Sequence, residues 1–294
     1  MTDTVAESAA EGPAPHPRLP HGEAVELPGR GTTWVRTAHG PEGAPTVLLL
    51  HGWTANADLN FFTCFRPLAK HFNVVALDHR GHGRGIRSRR GFRLEDCADD
   101  ALALLDVLGL DRVIPVGYSM GGPIAMQMWK RHAERIDGLV LCATAPFFRN
   151  TRQERMGFLG ISGLATLARL TPSQARVWLT EQIYLQRKAE KWEAWAVQEA
   201  ARHDWRMVLE AGRAIGRFDA RPWLDTIDVP TSVVVTMSDR VVPLNRQVLL
   251  FEGIPAAEAF RVDGDHDAVI SRPDQFMPSL QRALHSVIER CESR

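Results

Sequence analysis

A short apolar run, Val113–Val116, leads directly into Gly117-Tyr118-Ser119-Met120-Gly121, and helical spacing follows from Gly122. A strand that passes through Gly-x-Ser-x-Gly into a helix is how a nucleophile elbow looks in sequence. Gly117 and Gly121 would be needed because larger residues collide in so tight a turn. The turn would place Ser119 at a helix N-terminus, where backbone N–H groups stabilise negative charge. The alternative is a glycine-rich turn whose serine merely caps the helix.

Continuously apolar runs recur along the chain, at Thr46–Leu50, Asn73–Leu77, Val113–Val116, Gly138–Cys142, Ser232–Thr236 and Ala259–Val262. Runs without alternation are typical of strands buried on both faces, as in a parallel sheet. Helical spacing lies between them, at Leu94–Leu108, Gly122–His132, Asn245–Phe251 and Asp274–Cys291. This alternation predicts an α/β fold with a mostly parallel, doubly wound sheet. One or two antiparallel edge strands are expected within residues 21–39.

Four segments are predicted. Residues 1–22 are rich in Ala, Pro, Glu and Asp and lack the apolar stretch of a signal peptide, so we expect a disordered lead-in. Residues 23–146 and 223–294 form the two parts of the α/β core. Residues 147–222 contain no strand-like run and predict a helical cap, with one helix starting at the capping box Thr171–Gln174.

Tryptophans are concentrated in the predicted cap, at Trp178, Trp192, Trp195 and Trp205. They are expected in the cap core or lining a pocket, with contact to a lipid interface as the weaker alternative. Such a cap favours a hydrophobic substrate group of modest size. No apolar run is long enough to span a bilayer, so stable membrane insertion is not expected.

The charge balance argues against nucleic acid as a partner, because 35 basic residues face 35 acidic ones. Four cysteines are scattered without the Cys-x-x-Cys spacing of metal or redox sites. Reduced cysteines fit a cytoplasmic protein. A small-molecule substrate is the expected partner, and the sequence leaves the oligomeric state open.

A nucleophilic serine needs a base, a group that orients the base, and donors for an oxyanion. Residues that follow parallel strands meet at one edge of the sheet. Asp239 follows the run that ends at Thr236, and His266 follows the run that ends at Val262. The sequence therefore predicts a catalytic set of Ser119, Asp239 and His266.

The oxyanion donors are predicted to be the backbone N–H groups of Met120, after the serine, and Trp53, after the first parallel strand. The Trp53 indole is expected either to line the pocket entrance or to pack beneath it. His51, two residues earlier, is interpreted as a structural, hydrogen-bonded histidine rather than a second base.

Several motifs resemble those of the α/β-hydrolase superfamily: His51-Gly52-Trp53, Asp78-His79-Arg80-Gly81-His82-Gly83, Gly117–Gly122, Asp239 and Gly264-Asp265-His266. The resemblance covers about residues 30 to 290 and is closest to the esterase and cofactor-free haloperoxidase branches. It implies an eight-stranded core sheet, a cap after strand six, and no cofactor. It also implies that Asp78 and Arg80 fix a structural turn.

The histidine loop departs from the family pattern because Asp263, Asp265 and Asp267 surround His266. These carboxylates are expected to raise the pKa of the histidine or to cap the following helix, with a metal site as a weaker alternative. Hydrolysis of a carboxylic ester of a small to medium hydrophobic substrate, through an acyl-enzyme, is the first expectation. Cleavage of a C–C bond, perhydrolysis with haloperoxidation, and acyl transfer stay open, as does a non-catalytic ligand-binding role.

Overall fold

The computed structural model describes residues 17–149, 157, 160 and 193–293. Eight strands form one central sheet: β1 (Gly22–Leu27), β2 (Gly31–Ala38), β3 (Thr46–Leu50), β4 (Asn73–Leu77), β5 (Ile114–Tyr118), β6 (Leu139–Cys142), β7 (Thr231–Thr236) and β8 (Glu258–Val262). Their order across the sheet is β1-β2-β4-β3-β5-β6-β7-β8.

The sheet is parallel from β4 to β8, and β1 and β2 add an antiparallel edge. This confirms the predicted mostly parallel, eight-stranded sheet with antiparallel strands within residues 21–39. The chain passes from β3 to β4 toward one edge of the sheet and from β5 to β6 toward the other, so the connections that follow the adjacent strands β3 and β5 lead in opposite directions. Ligands in such sheets bind beyond the carboxyl ends of the strands at this kind of switch point.

Helices cover both faces of the sheet: α1 (Ala57–Phe61), α2 (Phe65–Leu68), α3 (Leu94–Leu108), α4 (Gly121–Arg131), α5 (Glu193–Ala201), α6 (Trp205–Ile215), α7 (Leu244–Gly253), α8 (Ala268–Ser271) and α9 (Pro273–Glu292). The four helices predicted in the core are α3, α4, α7 and α9. Gly109, at φ +64°, ends α3 in the left-handed conformation that glycine adopts without strain.

Alternate residues of β3 belong to two separate hydrophobic cores, one on each face of the sheet. Leu48 and Leu50 pack with residues of α3, α4 and α6, whereas Val47 and Leu49 pack with residues of α1, α2 and α9. All four side chains are fully buried. Burial on both faces explains why the run has no polar alternation.

The fifth strand differs from the predicted run, Val113–Val116. Val113 makes only an isolated bridge to Ile136, while the strand continues through Gly117 and Tyr118. These two residues pair with Leu141 and Cys142 of β6, which apolar patterning does not reveal. The strand ends at Tyr118 because the next residue, Ser119, has φ +52°.

The predicted lead-in and cap fall largely outside the described residues. Of the lead-in, Leu19 packs against the core and the main-chain oxygen of His21 accepts a hydrogen bond from Thr37 N. The capping box at Thr171–Gln174, Trp178 and Trp192 lie outside the described residues. Helices α5 and α6 fall within the predicted cap, whose boundaries stay a prediction.

No helix in residues 17–149 or 193–293 has both the length and the hydropathy needed to cross a membrane.

Candidate active site

Ser119 sits on a sharp turn between β5 and α4. Its φ of +52° lies in the left-handed region, which non-glycine residues occupy only when the surroundings hold them there. Two contacts with the β6 segment do so: Ser119 N donates to Cys142 O at 2.9 Å, and Thr144 Oγ1 donates to Ser119 O at 2.7 Å. The turn is thereby bonded to the neighbouring strand on both sides of the serine Cα.

The glycines of the elbow are required by close backbone approach. A Cβ on Gly117 would collide with the main chain of Gly121, one turn further on. A Cβ on Gly121 would collide with the main-chain oxygen of Leu50 in β3. Strand, turn and helix therefore pack too tightly here for any side chain larger than hydrogen.

Three side chains from separate loops meet at the carboxyl edge of the sheet. Ser119 Oγ lies 3.0 Å from His266 Nε2, and His266 Nδ1 lies 2.8 Å from Asp239 Oδ2. A carboxylate only accepts, so Nδ1 carries the imidazole proton and Nε2 is left to accept from the serine hydroxyl. The Asp239 side chain is fully buried, and 21% of the His266 side chain is exposed.

The Asp239 carboxylate is held by four further donors. Its Oδ1 accepts from the backbone N–H groups of Val241 and Val242, at 2.8 and 2.7 Å. Its Oδ2 accepts from Thr236 Oγ1 at 2.8 Å and lies 3.2 Å from Gln247 Nε2. These four donors fix the position of the carboxylate beside His266 Nδ1.

No motif in the sequence pointed to Gln247. It is fully buried in α7, where its Nε2 donates to Val242 O at 2.7 Å and its Oε1 accepts from Thr236 N at 3.0 Å. These bonds fix the orientation of the amide beside Asp239. A polar residue on the buried face of α7 is the only sequence signal that could have indicated it.

Both predicted oxyanion donors belong to segments next to the serine: Met120 follows Ser119 in the chain, and a Cβ added to Gly52, the residue before Trp53, would lie 3.3 Å from Ser119 Cβ. Within the described residues, no acceptor is hydrogen-bonded to the backbone N–H of Met120 or of Trp53. The loop that carries Trp53 is held by Asn60, whose Oδ1 accepts from Gly52 N at 2.7 Å. The Trp53 indole packs toward α6, where its Nε1 donates to Val208 O at 2.7 Å.

A cluster of buried histidines lies behind this loop. Ring centroids are 4.3 Å apart for His51 and His79, and 5.5 Å apart for His82 and His203. His51 Nε2 accepts from His79 N at 2.9 Å, and its Nδ1 lies 2.8 Å from Gly52 O. Burial lowers the pKa of His79 and His82 to about 3 and that of His203 to about 4, so all three are neutral at pH 7.

The loop after β4 is braced by Asp78 and Arg80. Asp78 accepts from Arg84 N at 2.7 Å and from Ala57 N at 3.0 Å. Burial raises the pKa of Asp78 to about 7, against the effect of these two donors. Arg80 binds Asp100 through two hydrogen bonds of 2.7 Å. These contacts are those of a structural turn.

The acidic residues of the histidine loop have different partners. Asp265 Oδ1 accepts from Arg240 N at 2.9 Å and from His266 N at 2.7 Å, and these bonds lower the pKa of Asp265. Asp267 accepts from Ser271 Oγ at 2.9 Å, at the start of α8. Asp265 thus joins the histidine loop to the loop that carries Asp239.

The sequence profile of the alpha/beta hydrolase fold family matches residues 45–273. The chain therefore belongs to the α/β-hydrolase family, which the motifs in its sequence predicted.

Individual relatives carry different names. A protein named as the carbamate hydrolase RutD of Agrobacterium fabrum is 30% identical over 249 residues, which is 82% of this chain and 93% of that protein. One named as a non-heme haloperoxidase, from Mycobacterium phage D29, is 29% identical over 84% of this chain and 90% of its own length. The crystal structure of the enol-lactonase from Burkholderia xenovorans superposes with a TM-score of 0.74 at 24% identity, covering 90% of this chain and all of that one. The last likeness concerns the fold.

Proposed function

We propose that this hydrolase cleaves a carboxylic ester of a small to medium hydrophobic substrate through an acyl-enzyme on Ser119. One observation carries the proposal. Ser119 Oγ, His266 and Asp239 form an unbroken hydrogen-bonded series, with distances of 3.0 and 2.8 Å. A series of hydroxyl, imidazole and carboxylate in this geometry is what activates a serine for attack on a carbonyl carbon.

In the proposed mechanism, His266 Nε2 takes the proton of the Ser119 hydroxyl as Oγ attacks the ester carbonyl. Asp239 keeps the proton on Nδ1 and stabilises the imidazolium that forms. His266 then gives its proton to the leaving alcohol. Water attacks the acyl-enzyme by the same route in reverse, which releases the acid and restores Ser119.

The negative oxygen of each tetrahedral intermediate would be bound by the N–H groups of Met120 and Trp53. Both are unpaired within the described residues, and the N-terminus of α4 adds its dipole. Preorganised donors of this kind supply about 3 kcal/mol each toward the transition state.

Carbamates are the second candidate substrates, because a relative that is 30% identical is named as a carbamate hydrolase. A carbamate carbonyl can be attacked by the same serine and held by the same two donors. The two substrate classes differ in the acyl side of the carbonyl, which carries a carbon atom in an ester and a nitrogen atom in a carbamate.

The test is the hydrolysis of p-nitrophenyl esters from acetate to palmitate, and of a p-nitrophenyl carbamate, by wild type and Ser119→Ala. Ser271→Ala, an exposed serine whose hydroxyl bonds Asp267, serves as the matched control. We expect ester cleavage by wild type and the control, and its loss in Ser119→Ala. A wild type that cleaves only the carbamate would replace the first candidate with the second, and undiminished turnover by Ser119→Ala would refute both.

A further inference from the structure

Tyr118 connects the strand of the nucleophile to the loop of the histidine. It is the last residue of β5, directly before Ser119, and only 3% of its surface is exposed. Its hydroxyl donates a hydrogen bond to the main-chain oxygen of His266. The ring packs edge-on against Phe276 of α9, with centroids 5.7 Å apart. Packing therefore fixes the direction in which the hydroxyl points.

The histidine loop lies at one side of the sheet. It follows β8, which is the last of the strands in residues 17–149 and 193–293 and pairs there with β7. The bonds Ser238 N to Gly264 O, at 3.0 Å, and Arg240 N to Asp265 Oδ1, at 2.9 Å, join it to the loop that carries Asp239. These bonds join the two loops to each other, and neither of them reaches the elbow that carries Ser119.

We propose that Tyr118 is a positioning residue that holds His266 at bonding distance from Ser119. It is covalently attached to the serine, and its hydroxyl holds the carbonyl of the histidine itself. The tyrosine thus links the backbone of the elbow, at the end of β5, to the backbone of His266, which follows β8. This inference rests on the proposed function, in which His266 must reach Ser119 Oγ.

The alternative role for Tyr118 is core packing alone, and Tyr118→Phe separates the two roles. The phenylalanine keeps the ring and its contact with Phe276 and removes one oxygen. A matched control is Thr63→Val, because Thr63 Oγ1 donates to the main-chain oxygen of Val269 at 2.7 Å. That bond is also a hydroxyl-to-carbonyl bond and ends only three residues beyond His266.

The experiment measures ester kinetics, melting temperature and the low-field proton resonance of the His266–Asp239 hydrogen bond, which is identified by its loss in His266→Ala. In Tyr118→Phe we expect kcat to fall roughly tenfold with KM changed less than about twofold, and the resonance to exchange faster with water. Thr63→Val should melt as early as Tyr118→Phe yet keep wild-type kcat and resonance.

Two results would overturn the inference. One is wild-type kcat together with an unaltered resonance in Tyr118→Phe, and the other is an equal loss of kcat in Thr63→Val. If wild type cleaves no ester, the proposed function fails and the resonance decides the role of Tyr118. Faster exchange in Tyr118→Phe alone would support positioning, and equal exchange in all variants would refute it.

Discussion

The indole of Trp53 donates a hydrogen bond of 2.7 Å to the main-chain oxygen of Val208. The two residues are 155 positions apart in the chain. Trp53 follows β3 at the edge of the candidate site, whereas Val208 lies in α6. The residue whose backbone N–H is the proposed second oxyanion donor is thus held by a helix outside the loop that carries it.

Replacing Trp53 with phenylalanine should lower kcat for ester cleavage roughly tenfold, because the loop loses its bond to α6 while the backbone N–H itself remains. Steady-state kinetics with the best p-nitrophenyl ester measures the effect. Trp129→Phe is the control, since Trp129 Nε1 donates to Asp228 at 3.0 Å in another part of the fold. Equal rates in wild type and Trp53→Phe would show that the indole does not position the donor.

Gln247→Leu should lower kcat for ester cleavage, by roughly tenfold. The leucine removes the amide that bonds Thr236 and lies 3.2 Å from Asp239 Oδ2, so the carboxylate beside His266 is held less firmly. Steady-state kinetics with the best p-nitrophenyl ester measures the effect. Gln281→Leu is the control, because in it α9 loses only a 3.3 Å bond to Pro67 O, and it should keep wild-type kcat. An unchanged kcat in Gln247→Leu would show that the amide does not position Asp239.

Asp58 is a buried carboxylate with two arginine partners, and its removal should be strongly destabilising. Arg36 binds it at 2.5 and 2.8 Å, and Arg84 binds it at 3.0 Å. Asp58→Ala would leave both guanidinium groups without this charge, so we expect the free energy of unfolding to fall by about 3 kcal/mol. Asp106→Ala removes the exposed partner of Arg135. This change should alter the free energy of unfolding by less than about 1 kcal/mol.

Urea denaturation of the two variants tests this contrast. Similar losses of stability in Asp58→Ala and Asp106→Ala would mean that burial of the first ion pair contributes nothing.

The buried histidines should make the fold less stable in mild acid. In the unfolded chain their pKa is about 6.5, whereas burial lowers it to about 3 for His79 and His82 and about 4 for His203. Below about pH 6.5 the unfolded chain binds protons that the folded chain does not. Stability is therefore full above that pH and falls as the pH decreases toward the folded-state values.

Asp78 acts in the opposite direction, because burial raises its pKa to about 7 and favours the folded state as the pH decreases. This one carboxyl group offsets only part of the stability that the three histidines lose in acid. Chemical denaturation between pH 7 and pH 5 should thus show a decreasing free energy of unfolding, with a smaller slope in His203→Gln. A free energy of unfolding that stays constant over this range would rule out the account.

Much of the fold could be predicted from the sequence because strands buried in a parallel sheet consist of continuous apolar runs. The same rule places Ser119, Asp239 and His266 at one edge, since each follows a strand of known direction. The distances between their side chains were not predictable, but their convergence was. The family match to residues 45–273 agrees with the motifs that indicated it.

Hydrogen bonds between distant segments of the chain could not be predicted from the sequence. The Tyr118 hydroxyl reaches a carbonyl 148 residues further along the chain, and neighbouring sequence contains no sign of it. Gln247 resembles any polar residue of a helix until packing turns its amide toward Asp239. Strand β5 extends past its apolar run because Gly117 and Tyr118 still pair with β6, and it ends where Ser119 adopts a positive φ.

Covalent labelling with a fluorophosphonate, followed by mass analysis of the intact protein and its peptides, tests the serine mechanism. A serine activated by His266 and Asp239 attacks the phosphorus, releases fluoride and keeps one phosphonyl group. We predict one such group on Ser119 in wild type, none in Ser119→Ala, and much slower labelling in His266→Ala. A folded wild type that stays unlabelled, or carries the group on another residue, would contradict the serine mechanism.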